Sequence, residues 1–404
     1  MTMKRAIAMG LLSVLVLSAG CSSVTAQNEN FPETFETFAD WCRNPAGLTP
    51  EVQHTVKVLL AEAETQECDQ AEETLSNLTE LDLDDNRITD VAPLASLTNL
   101  TKLDLNDNRI VDIAPLASLT HLTNLNLRRN RIADVAPLAN LSALTQLNLY
   151  LTQIADVAPL ANLTNLTNLN LGNNQIADVA PLANLTNLTK LDLGNNQIAD
   201  VASLAGLTNL TALDLGGNDI ADVTPLASLT TLTKLGLNDN DIGDLTPLAS
   251  LTRLTDLNLN RIEIVDLAPL GNLTNLKALD LGSTSIVDVS PLADLTHLTR
   301  LNLYLNQIVN VSPLEGLSKL TSLDLAHNNI ADVTPLASLT NLTWLDLNNN
   351  QITDVSPLAD LTNLTDLVLV DNPLNDQACP LQPETICQFE FYNPRDALSP
   401  NSYP

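Results

Sequence analysis

Basic side chains are scarce in this 404-residue chain: 18 Lys and Arg stand against 48 Asp and Glu, a formal net charge of −30. Binding nucleic-acid phosphates needs clustered Lys and Arg. Electrostatic docking on an anionic membrane needs the same, so neither is expected. Aromatics make up only 3% of the residues, which points to a core of stacked Leu, Ile and Val. The sequence lacks HExxH, a Gly-rich phosphate loop, GxSxG and any Cys–His constellation. Its four histidines, His54, His121, His297 and His327, lie in four different places. With no nucleophile beside a base, no catalytic residue, cofactor or enzymatic activity is expected. The stretch from Asp82 to Asn86 resembles the opening of a calcium loop. However, Arg87 stands where the loop needs Gly and Pro93 where it needs Glu, so no metal site is expected either.

Long apolar runs are also missing, except near the start. Lys4 and Arg5 precede an apolar stretch over residues 6–19 that is too short to span a bilayer. It ends at Leu17-Ser18-Ala19-Gly20-Cys21. This resembles a bacterial lipoprotein signal, which implies cleavage after residue 20 and a lipid on Cys21. An ordinary secretory signal with Cys21 incidental is the other reading, and either one exports the protein. Any membrane contact is then through an N-terminal lipid, followed by a polar tether over residues 21–30. A membrane-anchored lipoprotein of the cell envelope or surface is favoured over free secretion.

What is present is a repeat. Residues 163–184, LTNLTNLNLGNNQIADVAPLAN, return lightly edited from about residue 75 to 375. The period is 22 residues, and the Asn of LxLxxN runs from Asn86 to Asn372 in fourteen units. A fixed period of this length with L-x-x-L-x-L-x-x-N marks a leucine-rich-repeat solenoid. In the second unit, Leu97, Leu100, Leu103, Leu105, Ile110, Ile113 and Leu116 are the expected core. Pro115 and its equivalents mark bends on the return side. The fold class is an α/β solenoid with a parallel sheet on the concave face and short 3₁₀ or irregular turns on the convex face. The Asn column, which departs at Thr152, Ile262 and Thr284, is expected to satisfy buried backbone between coils. The Asp column from Asp90 to Asp376, broken only by Asn310, is expected to accept nearby backbone N–H groups. A third structural column is expected at Thr98, Thr120 and Ser142.

The flanks read as caps, since a solenoid leaves its end coils exposed. Residues 31–74 hold Phe31, Phe35, Phe38 and Trp41. Thr49 and Pro50 look like a helix start, and helical spacing continues to about Gln66. Residues 376–393 form the second cap, with Phe389, Phe391 and Tyr392 available to cover the last coil, and residues 394–404 read as a disordered tail. Setting Cys21 aside, Cys42 and Cys68 precede the repeats while Cys379 and Cys387 follow them. Three pairings are possible. The ends of the solenoid lie too far apart to bridge, so Cys42–Cys68 and Cys379–Cys387 are expected.

At LTNLTxLxLxxNxIxDVxPLA the repeat resembles the internalin-type leucine-rich repeats of bacterial surface proteins, over about three quarters of the chain. The resemblance implies a curved right-handed solenoid that binds other proteins on its concave sheet. It stops at the flanks, so only the mode of binding carries over. Along the outward positions of the strands the sequence is polar and nearly uniform, and two places break it. The first holds Arg87, Arg109 and Arg131 in one column, with Arg128, Arg129, Tyr150 and Leu151 beside them. These arginines either belong to a binding site or neutralise Asp82, Asp84, Asp85, Asp104 and Asp107. The second holds Arg300, Tyr304, Leu305, His327 and Trp344. Arg and aromatic residues are enriched at binding hot spots. A protein ligand is the expected partner, with an extended polysaccharide or peptidoglycan, or a passive structural role, as the alternatives.

Overall fold

The computed structural model describes residues 35–390; the expected signal, Cys21, the tether, Phe31, Phe391, Tyr392 and the tail lie outside them. The repeats stack into one parallel sheet of fifteen strands in chain order. Strand β1 (Glu80–Asp82) begins it and β14 (Asp366–Val368) ends the repeats. A further strand, β15 (Cys387–Gln388), was not foreseen and adds to the far edge, with Leu367 opposite Cys387. Each of the fourteen repeat strands places its middle Leu inward and its flanking residues outward, as a two-residue period requires.

The expected core is fully formed. In the second unit all seven predicted side chains, from Leu97 to Leu116, are at most 2% exposed. Return segments carry short 3₁₀ turns from Ala92–Leu94 to Ser356–Asp360, nearly all with Pro near their start. Ala202–Gly206 turns equally well with Ser203 in the proline's place, so the proline favours the bend without being required for it.

Both expected polar ladders are formed, the Asn ladder between coils and the Asp ladder within each coil. Asn130 is typical: its Nδ2 donates to the carbonyls of Leu105 and Leu127, and its Oδ1 accepts from Ile110 N–H at 3.0 Å. The Asp column accepts backbone N–H two residues on, as in Asp112 from Ala114 at 2.8 Å, and Asn310 does the same for Ser312. The third column is bonded through its carbonyls rather than its hydroxyls. The hydroxyl ladder sits three residues after Thr98, where Thr123 Oγ1 donates to the Thr101 carbonyl and Thr167 Oγ1 to that of Thr145. Residues of the Thr98 column contribute their carbonyls instead, which accept from Asn, His or Thr side chains one unit later, as Ser142 does from Asn165 and Thr208 from Thr231.

Breaks in the Asn ladder have unequal effects. At Thr152 the adjacent bond from Gln153 N–H to Ile132 persists at 2.9 Å. At Ile262 and Thr284 two successive units depart. There the equivalent bonds, from Glu263 to Ile242 and from Ser285 to Ile264, are both missing, although the next unit restores the bond from Gln307 to Ile286.

Helices α1 (Phe38–Arg43), α2 (Pro50–Glu62) and α3 (Cys68–Ser76) precede the sheet. Only α2 is foreseen from sequence. It starts as expected, with the Thr49 side chain accepting from Val52 N–H, but ends at Glu62 rather than near Gln66. Its buried face, including Val52, Val56 and Leu59, covers the first coil. Polar contacts replace the missing preceding coil: Thr55 Oγ1 donates to the Asp90 carbonyl and His54 Nε2 to that of Asn86, both at 2.7 Å. Cys42 bonds to Cys68, tying α1 to α3, and the Arg43–Asp69 ion pair lies alongside. Cys379 bonds to Cys387, fixing the start of β15, while Leu381, Ile386 and Phe389 pack on the last coil.

Candidate binding face

Outward strand positions line a trough of about 1330 Å³ that runs from Glu80 to Trp344. Two outward columns, headed by Glu80 and Asp82, form its surface around the row of inward leucines, and the next column, headed by Asp84, contributes only Asn238. Neighbouring strands lie about 4.8 Å apart, so each column is a regular row of side chains. Burial, with the neighbouring Asp214 adding, pushes the carboxyl of Asp192 above the usual range. Burial also raises Asp346 and pushes Asp324 up to about 6, where the nearby Asp346 and Asp280 carboxylates add to it.

The structure separates the predicted N-terminal residues. Arg87, Arg109 and Arg131 are exposed in one row past the buried Asn turn, on the flank of the coil and outside the trough. Arg128 lies beside the trough instead, and its guanidinium is 5.2 Å from the ring centre of Tyr150. Arg128, Tyr150 and Asp192 border a small cleft of about 250 Å³. Among the described residues only Arg129 pairs with an acidic neighbour of the group, Asp107 at 3.3 Å. Asp84 and Asp104 instead accept from Asn106 and Asn126. Most of these arginines are therefore not held by the carboxylates that the sequence offers to neutralise them.

At the other end Arg300 is not free, because it pairs with Asp256 two strands away at 3.7 Å. Tyr304 meets His327 edge-on, with ring centres 5.2 Å apart, and His327 Nδ1 lies 2.7 Å from Asn349 Nδ2. Trp344 is half-buried on β13 (Trp344–Asp346) and lines the trough. Tyr150 and Tyr304 are seven units apart, so the two patches do not merge.

A feature that sequence reading missed joins both patches. The residue three after each strand takes a left-handed conformation in every unit, from Asp85 at φ 51° to Asp371 at φ 54°. Asn, Asp and Gly accept this conformation and other residues resist it. The column is Asn, Asp or Gly in most units, but Arg129, Leu151, Arg261, Ser283, Leu305 and His327 hold it too. Leu151 and Leu305 remain 45% and 48% exposed. Each follows a tyrosine, in the identical stretch Leu-Asn-Leu-Tyr-Leu at residues 147–151 and 301–305. Two apolar side chains thus adopt an unfavourable backbone without gaining burial. Asp324, Asp346 and Asn348 were missed as well. Two consecutive acidic strand positions beside the single tryptophan of the repeats were the available signal.

Among the described residues no helix is long and apolar enough to cross a membrane, and no group of His, Cys, Asp and Glu could hold a metal ion. The family profile "Leucine Rich repeats (2 copies)" matches overlapping stretches that together span residues 76–118, 120–228, 274–338 and 340–383. A single-repeat profile, "Leucine Rich repeat", matches residues 228–245. Residues 246–273, which neither matches, include Ile262, where the Asn ladder fails. No curated protein sequence matches. An internalin of Listeria monocytogenes, InlF, superimposes with a TM-score of 0.74 at 39% identity, over 78% of this chain and 94% of its own. A leucine-rich repeat protein of Leptospira interrogans gives 0.72 at 23% identity, over 89% and 100%. A plant peptide hormone receptor, seen in complex with RGF2, gives 0.55 at 20% identity, over 74% and 60%. With its repeats matched over more than half its length and an internalin aligned along nearly that protein's whole length, the chain belongs to the leucine-rich repeat family as an internalin-like member.

Proposed function

We propose that the protein is an exported, non-enzymatic binding protein of the bacterial cell envelope, anchored by a lipid on Cys21, which holds a protein ligand on its concave face. The observation that carries this reading is the pair of Tyr–Leu ledges at Tyr150–Leu151 and Tyr304–Leu305. Their leucines are exposed and sit at a backbone conformation that leucine disfavours. Folding alone selects against such residues, and a partner that buries them supplies the compensation. Arg128, which has no ion pair among the described residues and stacks on Tyr150, adds a second anchor of hot-spot type. The plant receptor that carries the same fold with a peptide hormone agrees with a polypeptide ligand.

Capture from envelope extract tests the proposal. The native chain is compared with a variant carrying Arg128→Glu, Arg129→Glu and Arg131→Glu, and with one carrying Tyr304→Ala and Trp344→Ala. Loss of a specific protein in either variant is the expected result. Equal recovery by all three would overturn it, and would favour a passive spacer. Retention on purified peptidoglycan that is lost with Tyr304 and Trp344 would assign the face to glycan instead. Mass spectrometry of the mature N-terminus tests the anchor separately, by the presence or absence of lipid on Cys21.

A further inference from the structure

The C-terminal end of the trough gathers acceptors and leaves them without donors. Asp324 ends β12 (Ser322–Asp324) and lies in register beside Asp346 on β13. Oδ1 of Asp324 accepts from Ala326 N–H at 3.0 Å, and Oδ1 of Asp346 accepts from Asn348 N–H at 2.9 Å. Each carboxylate keeps its second oxygen free of any internal donor. Among the described residues no Lys or Arg forms an ion pair with either, and Arg300, on the neighbouring strand, pairs with Asp256. Asn348 is only 7% exposed, and its Oδ1 is buried with no hydrogen-bond partner. Because Leu347 points into the core, strand alternation turns Asn348 to the same side as Asp346, at the edge of the trough. Side chains of this column reach the neighbouring Asp column elsewhere, as Asn260 does with Asp280. A buried acceptor left unpaired costs about 1–3 kcal/mol, and two half-buried carboxylates with His327 nearby but no Lys or Arg partner among the described residues add to the cost.

The surroundings limit what completes this site. Trp344 is two residues before Asp346 on the same strand, about 7 Å away. On the next strand the Asp and Asn columns become Val368 and Val370, an apolar wall beside Asn348. Adjacent carboxylates, an amide oxygen, an indole face and an apolar wall match the parts of an arginine side chain. Its planar fork donates to paired carboxylates, its face stacks on Trp, and its methylenes cover apolar surface. A metal ion would use neither the indole nor the valines.

We propose that Asp324, Asp346, Asn348 and Trp344 form a receptacle for an arginine side chain presented by the protein ligand. The inference rests on the concave face being the binding face, and it specifies the chemistry of that ligand. The full chain carries two tryptophans, Trp41 and Trp344, so emission changes that vanish in Trp344→Phe report on this site. Acetyl-arginine-methylamide is titrated at low salt against its lysine counterpart and calcium chloride. The expected result is a saturable change with the arginine compound, at least tenfold weaker with the lysine compound and absent with calcium. Asp324→Asn with Asp346→Asn is expected to weaken it by at least tenfold. Asn occupies the same column at Asn126, Asn148 and Asn170, so these substitutions suit the fold. Asn348→Ala, which keeps both carboxylates, is expected to weaken it about threefold. No saturable change, an undiminished response in the double variant, or an equal response to lysine or calcium would overturn the assignment. Such a failure would leave capture of a protein ligand standing. Conversely, arginine binding in a protein that captures nothing would separate this site from that function.

Discussion

Leu151 and Leu305 hold a left-handed backbone conformation, at φ 54° in both, without burying their side chains. The equivalent position is Asn at Asn173, Asn195 and Asn349. Leu305→Asn is therefore expected to raise stability by about 1 kcal/mol, read as a shift in the urea midpoint, while weakening ligand capture. A destabilised Leu305→Asn protein would remove the argument that this leucine is kept for binding. Asp324 makes a second conflict between stability and use. Burial lifts its folded-state pKa from 3.8 to about 6, so the folded chain binds the proton more tightly than the unfolded chain. This contribution to stability is fully present below about pH 4 and is lost as pH rises through about 6. Asp324→Asn is expected to remove that loss and to stabilise the protein at pH 7 by on the order of 1 kcal/mol, after discounting for solvent screening. The measurement is the unfolding midpoint at pH 4.5 and 7.5 for both proteins. Exposed carboxyls of the return turns act in the opposite sense. Hydrogen bonds from Thr224 hold Asp222 below the usual range, so their contribution is lost as pH falls. Of these residues, sequence identified Leu305 as exposed and passed over Asp324, because a carboxylate in an acidic column looks ordinary until its missing partners are known.

At the scale of the element, one coil is bonded to the next by a strand ladder, a buried Asn, a Thr hydroxyl and a backbone bond past the Asn. Units eight to ten lose two of these in succession, at Ile262 and Thr284. Solenoid stability is approximately a sum of neighbour terms, so a double loss concentrates local opening there. The amides of Glu263 and Ser285 are expected to exchange with deuterium at least about tenfold faster than those of Asp219 and Gln307. Ile262→Asn with Thr284→Asn should remove the difference. Equal protection in the native chain would show that the strand ladder alone sets the local stability. The ladder and its exceptions were legible because a 22-residue period turns each position into a column that can be checked by eye. Which carbonyls the Asn reaches, and the separate hydroxyl ladder at Thr101 and Thr123, depend on the coil's three-dimensional path and were not.

At the largest scale, the described residues from Phe38 to Phe389 form one continuous core closed by two dissimilar ends. The fold class, core, disulfides and one cap helix were legible because they follow from period, burial and cysteine count. Helix α1, helix α3 and strand β15 were not, since each is short and stabilised by what it packs on rather than by its own pattern. Their disulfides should matter accordingly. Cys42→Ser with Cys68→Ser opens a link of sequence separation 26 and is expected to lower stability by about 3 kcal/mol. That loss should appear as fraying from the first coil in a chemical denaturation monitored at Trp41. The unbroken register has another consequence. Inserting or deleting 22 residues between Gly172 and Asn302 would preserve every column and every ladder partner, yet shift Tyr304 relative to Tyr150 by one strand, about 4.8 Å. The distance between the two ledges is in effect a gauge with whole-number settings, adjustable by unequal recombination of near-identical repeats without the cost of redesigning the fold.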